Sequence, residues 1–344
     1  MIEMRLDILT RQWVVFAPER ALRPHKTLKA VSEESADGDP FLEGREAETP
    51  GETFAIRNPG TKPDTPGWRV RVVPNKFPAL QLYAAETVTA PAPTGPNSAA
   101  AGGLEFISRP ANGIHEVIIE CPHFETNLSR LSDVQVTEVL TAYRARINQL
   151  RAVTQINHVI IFKNKGAAAG ATLPHTHSQL IATTQVPTQM QAQIHSARAY
   201  REAHGRSLFA DIMNAELRQR TRIIHESEYY VALCPYASRF PFETKILPKQ
   251  PDCHFDVVTD CQLHDLGAVL RVILRKMEIA LDDTPYNFIL HTAPFNVDDC
   301  NDYSWQLEII PRLGTLAGYE IGTGDYINIE LPETAAQKLR SVSL

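Results

Sequence analysis

Residues 166–187 read GAAAGATLPHTHSQLIATTQVP. Three polar side chains, His175, His177 and Gln179, stand two apart at the start of an apolar run. Side chains at i, i+2 and i+4 share one face of a β-strand, so this spacing predicts a strand that presents all three together. The stretch in front, NKGAAAGAT (164–172), is nearly all small residues. Such a loop lets backbone N–H groups approach a ligand closely, as in an anion-binding nest.

The surrounding elements repeat. HEVIIECP, a helical stretch, NHVIIFKN, a loop and HTHSQLIA are followed later by TKILPK, a helical stretch, YNFILHTAP, a loop and SWQLEIIP. Within residues 132–151 the apolar positions Val136, Val139, Leu140, Tyr143, Ile147 and Leu150 keep a helical period. We read a diverged duplication in which only the first copy holds histidines, since Ser304, Gln306 and Glu308 occupy the second copy's alternate positions. The pattern turns helical after Pro187 through about residue 221. Residues 30–67 and 84–103 are rich in turn-forming or low-complexity sequence and read as loops.

Chemically, a histidine can attack phosphorus through one ring nitrogen when the other is held as a donor. The product is a phosphoramidate. A glutamine two positions on can donate to phosphate oxygens but cannot deliver a proton. That favours a leaving group needing none, such as a sugar phosphate, and hence a substrate split between two phosphoryl groups. Histidines on a strand also serve as metal ligands or as hydrogen-bonded core residues, and H-x-H alone does not separate these uses.

Composition narrows the classes. The chain has 344 residues, enough for about two domains, and 43% are hydrophobic, enough for a sizeable core. Net charge is −6 with no basic block, which argues against nucleic acid as the partner. No run is long and apolar enough to predict a membrane span or a secretory signal. The five cysteines are scattered, with no C-x-x-C, so the expectation is a cytoplasmic protein without a disulfide framework.

FKNKGAAAGATLPHTHSQL resembles the active-site segment of the galactose-1-phosphate uridylyltransferase family, a branch of the histidine-triad superfamily. RQWVVFAPERALRP, VVPNKFPAL, GIHEVIIECP, PFETKILPK and the segment 309–340 fit the same family in the same order; the last resembles its ADP-glucose:phosphate adenylyltransferase branch equally well. The resemblance implies an α+β fold of two fused histidine-triad-like units, mostly antiparallel, with helices packed on the sheets: residues 1–190 catalytic, 191–344 lacking the nucleophile. It implies ping-pong nucleotidyl transfer from a nucleoside diphosphate sugar to a sugar 1-phosphate or phosphate, in a homodimer. UDP-glucose:hexose-1-phosphate uridylyltransferase is the first expectation and ADP-glucose phosphorylase the second. A non-catalytic sugar-nucleotide-binding protein is the rival of another class.

Position by position, the resemblance makes His177 the nucleophile and Gln179 its phosphate partner. Asn164, Gly170 and Thr172 match phosphate-holding positions, Asn75 a ribose contact, Arg20 and Arg23 arginines near the nucleotide, and Tyr319 and Glu320 sugar contacts. Relatives' zinc-binding C-x-x-C is replaced by Asp39 and Leu42. Asp39, His115 and His175 are what remains of a zinc site, and the chemistry itself calls for no cofactor.

Overall fold

The computed structural model describes residues 3–16, 36–82, 111–297 and 301–344. Its first half contains β1 (Glu3–Leu6), β2 (Trp13–Phe16), β3 (Phe54–Arg57), β4 (Trp68–Pro74), β5 (Gly113–Ile119), α1 (Asp133–Arg151), β6 (His158–Lys165) and β7 (His177–Thr183). The second contains α2 (Thr188–His204), α3 (Leu208–Gln219), β8 (Ile223–Glu226), β9 (Tyr230–Leu233), β10 (Thr244–Pro248), α4 (Asp260–Ala280), β11 (Tyr286–His291), β12 (Gln306–Pro311), α5 (Gly318–Thr323), β13 (Tyr326–Asn328) and α6 (Pro332–Ser341). Arg20 and Arg23 lie outside the described residues.

Ten strands form one antiparallel sheet in the order β3-β4-β5-β7-β6-β11-β12-β10-β9-β8. From each edge inward the two halves have the same order, and they meet where β6 pairs with β11. Phe162 faces Ile289 across that seam, while Phe162 pairs with Gln179 and Ile289 with Glu308. Gln179 and Glu308 are thus equivalent positions of the two copies. A smaller sheet, β1-β2-β13, carries β13 parallel to β2.

Sequence explains the helices locally. Ser132 and Gln135 form a reciprocal capping box at the start of α1, and Thr259 and Gln262 repeat it at α4. All six stripe residues of α1 are buried, with Leu263, Leu266, Leu270 and Ile273 of α4 in the same core. Each such burial contributes about 1.5–3 kcal/mol. The two helices approach closely because Gly267 has no side chain: a Cβ there would stand 2.8 Å from Thr137 Oγ1.

The helical run expected through about residue 221 is two helices. Gly205, at φ +69°, ends α2 in the left-handed region, and Ser207 caps α3 by accepting from Ala210 N–H. Among the described residues no helix is long and apolar enough to cross a membrane. Cys121, Cys234 and Cys261 are free thiols, and Cys253 is disulfide-bonded, which the scatter of cysteines did not suggest.

Candidate active site

β7 carries His177 and Gln179 on the face of the sheet away from α1, and Ser178 and Leu180 on the face toward it. The buried–intermediate alternation of the strand records this, as does the pairing of Gln179 with Phe162. The His177 ring is 7% exposed and meets the edge of Phe41 at a centroid distance of 5.3 Å. Its Nδ1 lies 2.7 Å from the backbone oxygen of His175. A carbonyl only accepts, so Nδ1 carries the hydrogen and Nε2 keeps its lone pair. Burial, and then the nearby Lys163 charge, push the His177 pKa down to about 4. The ring is therefore a neutral imidazole near pH 7, with one nitrogen free to attack.

Gln179 is oriented by a residue the sequence placed elsewhere. Ala79 N–H donates to His115 Nδ1 at 3.1 Å, so His115 Nε2 carries the hydrogen and donates to Gln179 Oε1 at 2.9 Å. With its oxygen occupied, Gln179 offers its amide hydrogens to a ligand. Asn75 Nδ2 stands 3.1 Å from the same His115 nitrogen, and Asn75 Oδ1 accepts from Phe77 N–H at 2.8 Å. Asn75, His115 and Gln179 are one cluster beside the exposed ring of Phe77, 84% accessible.

The small-residue loop leaves β6 through Gly166, makes a single 3-10 turn at Ala167–Ala169 and closes at Gly170, where φ is +90°. Asn164 starts it. Asn287 on the facing β11 donates to Asn164 Oδ1 at 2.8 Å and to Ala169 O at 2.9 Å, so the second copy braces the loop of the first. Gly170 and Thr172 are exposed at its mouth.

The three remnants of a zinc site, Asp39, His115 and His175, do not come together among the described residues. Asp39 Oδ2 lies 2.6 Å from His175 Nδ1, and His175 Nε2 lies 3.0 Å from Cys121 O. Burial is the largest single influence and would raise the Asp39 pKa, but the His175 and Phe41 N–H hydrogen bonds, with the His175 and Arg45 charges, together outweigh it and the carboxyl sits below its ordinary value. Phe41 and Phe124 close around the His175 ring, at centroid distances of 5.9 and 6.2 Å. His115 is committed to Gln179 instead. Among the described residues no three His, Cys, Asp or Glu side chains are grouped to hold a metal. These residues do not fit zinc: the two remaining ligands spend their lone pairs and hydrogens on each other and on the backbone.

Tyr319 and Glu320 lie on α5, none of whose residues is buried. The Glu320 carboxylate accepts from Ala317 N–H at 3.0 Å at the start of that helix. In the second copy Gln306 and Glu308 stand where His177 and Gln179 stand in the first. Arg239 donates to Glu308 Oε1 at 2.7 Å, and Lys245 lies 3.7 Å from the same oxygen. Burial, the largest single influence, pushes Glu308 upward, but Arg239, Lys245 and His291 together outweigh it and hold it well below the carboxylate range. Sequence reasoning also passed over Glu120 and Lys163, buried directly behind His177. An acid and a lysine among β-branched residues were the only signal.

A neutral imidazole with one open nitrogen, an oriented amide and a glycine-turned loop thus stand together at the start of β7. Residues 1–187 match the model for galactose-1-phosphate uridyl transferase, N-terminal domain, and residues 193–343 the model for the C-terminal domain. The chain belongs to the galactose-1-phosphate uridyl transferase family. It is 36% identical to an ADP-glucose phosphorylase of Arabidopsis thaliana over 349 residues, 99% of this chain and 93% of the relative. It is 31% identical to a galactose-1-phosphate uridylyltransferase of Haemophilus influenzae over 353 residues, 98% of this chain and 94% of that one. The crystal structure of an ADP-glucose phosphorylase from Arabidopsis thaliana with bound ADP-glucose has a TM-score of 0.83 to this fold at 34% identity, covering 100% of both chains.

Proposed function

We propose that His177 is the nucleophile of a double-displacement nucleotidyl transfer from a nucleoside diphosphate glucose. The observation that carries this is the His177 ring itself: Nδ1 fixed on the His175 carbonyl, and Nε2 uncharged and unpartnered among the described hydrogen bonds. Nε2 attacks the α-phosphorus. The N–P bond forms, the bridging P–O bond breaks, and its electron pair leaves on glucose 1-phosphate, whose phosphate needs no proton. An acceptor phosphate oxygen then attacks the nucleotidyl-His177, and the ring is released neutral. Gln179 donates to the non-bridging oxygens as charge shifts onto them. Asn164 and the Gly166–Thr172 loop hold the phosphates, and Asn75 and Phe77 line the nucleoside end.

For the nucleotide we favour ADP-glucose, with inorganic phosphate as acceptor, so that adenylyl transfer yields ADP. The Arabidopsis thaliana relative and its ADP-glucose complex support this reading. The second reading, uridylyl transfer between UDP-glucose and a hexose 1-phosphate, is supported by the Haemophilus influenzae relative. Intact-mass measurement after incubation with each nucleotide sugar, without acceptor, distinguishes them: an adenylyl gain supports the first, a uridylyl gain the second. No gain with either would remove the nucleophile.

We also propose that the protein works as a homodimer whose interface includes the segment around α5. Leu313, Leu316, Tyr319 and Ile321 are exposed apolar side chains on one short segment, with Ile321 76% accessible. Such a cluster is costly on a free surface and suits an interface. Light scattering that found only monomers in active preparations would count against the arrangement.

A further inference from the structure

We propose that the buried Glu120–Lys163 pair is a positioning element for His177, holding the segment Thr176–Ser178 from behind the sheet; this rests on the reading of His177 as nucleophile. Lys163 projects from β6 toward the helices, and Glu120 follows β5 on the same side. Lys163 is 1% exposed and Glu120 0%. Lys163 Nζ donates to Glu120 Oε2 at 2.7 Å, to Thr176 Oγ1 at 2.7 Å and to the backbone oxygen of His177 at 3.1 Å. All three ammonium hydrogens are thereby used. Glu120 is equally saturated. Its Oε2 also accepts from Thr176 Oγ1 at 2.5 Å, and its Oε1 accepts from Ser178 Oγ and from Tyr143 OH, the latter at 3.1 Å.

Three consecutive residues of the active strand are thus tethered. Thr176 and Ser178 are held by their hydroxyls, and His177 between them by its carbonyl. The His177 side chain meanwhile points to the opposite face. A buried ion pair costs desolvation, and apolar residues of similar volume would fill this space at no greater cost in stability. What apolar residues cannot supply is a fixed set of bonds on the backbone that carries a reacting nitrogen. Displacing a reacting group by a fraction of a bond length is expensive in rate.

The test is the double variant Glu120→Gln/Lys163→Met, neutral and similar in volume, in the full-length protein. The readouts are near-UV circular dichroism and KM and kcat for adduct formation from ADP-glucose and UDP-glucose. The expected result is a native spectrum, a KM within about twofold and a kcat lower by about tenfold or more. Wild-type kcat per folded molecule overturns the proposal. Should the double variant not fold, Thr176→Val carries the test: loss of kcat restored by Thr176→Ser supports the proposal, and unchanged kcat overturns it. A wild-type protein that forms no adduct with either nucleotide sugar overturns the nucleophile reading, and the positioning role falls with it.

Discussion

His115 Nε2 donates to Gln179 Oε1 at 2.9 Å, and this bond decides which end of the Gln179 amide faces the loop proposed to hold the phosphates. A free amide can flip and present its oxygen, which repels phosphate. Held by His115, it presents hydrogens. His115→Phe should therefore lower kcat by about tenfold to a hundredfold with KM little changed, in line with the cost of losing an orienting partner or an oxyanion donor. Gln179→Ala should cost at least as much, and the double variant no more than Gln179→Ala alone. Additive losses in steady-state kinetics would show that His115 acts otherwise.

Gly170 closes the loop at φ +90°, a conformation that L side chains rarely adopt. Space is not the obstacle, because the nearest atom to an added Cβ is Asn164 Nδ2 at 3.6 Å. Gly170→Ala should cost about 1–3 kcal/mol of local strain, relieved by shifting the loop. The expectation is a raised KM for the nucleotide sugar with a small change in Tm. A large Tm loss with KM unchanged would place the glycine's role in folding alone.

His158 is 1% exposed, and neither of its ring nitrogens has a hydrogen-bond partner among the described residues. Burial, and then His291, push its pKa from 6.5 down to about 4. The unfolded chain takes up a proton below the higher value and the native chain only near the lower one. Stability from this group is therefore full above about pH 6.5 and falls as pH drops toward 4. His177, also lowered to about 4, adds a loss of the same sign. His158→Leu removes one of the two, so its gain in Tm over wild type should be larger at about pH 5 than at about pH 7.5. Equal differences at both pH values in thermal unfolding would contradict the assignment.

The Asp39–His175 pair predicts metal independence. Prolonged treatment with a strong chelator should leave Tm and adduct formation unchanged, and elemental analysis should find no stoichiometric zinc. Asp39→Ala, by contrast, leaves a buried histidine N–H unpaired and should destabilise by about 1–3 kcal/mol. One zinc per chain, with Tm falling on chelation, would restore the metal site.

Much of this was legible in the sequence. The i, i+2 alternation at 175–179 is a backbone property, so His177 and Gln179 share a face as expected. The duplicated order of elements reappears as the two identical half-sheets meeting between β6 and β11. What misled was side-chain chemistry at a distance. His115 resembles a zinc ligand by family position, yet its register opposite Ile181 on β7 puts it over Gln179, while Phe124 packs against His175. Lys163 sits in a run that reads as apolar strand, and nothing local says that it faces the helices rather than solvent. Glu120, 43 residues away in sequence, with the Thr176 hydroxyl and the His177 carbonyl, makes that burial tolerable. Pairings of that separation follow from strand register, which periodicity alone does not give.

The central claim is that a nucleotidyl group rests covalently on His177 between two half-reactions. Isotope exchange tests it most directly: labelled glucose 1-phosphate is incubated with unlabelled ADP-glucose, or UDP-glucose, and no acceptor. The account predicts label in the nucleotide sugar with wild-type protein and none with His177→Ala. Net turnover with added acceptor, without any exchange in its absence, would mean direct transfer through a ternary complex and would contradict it.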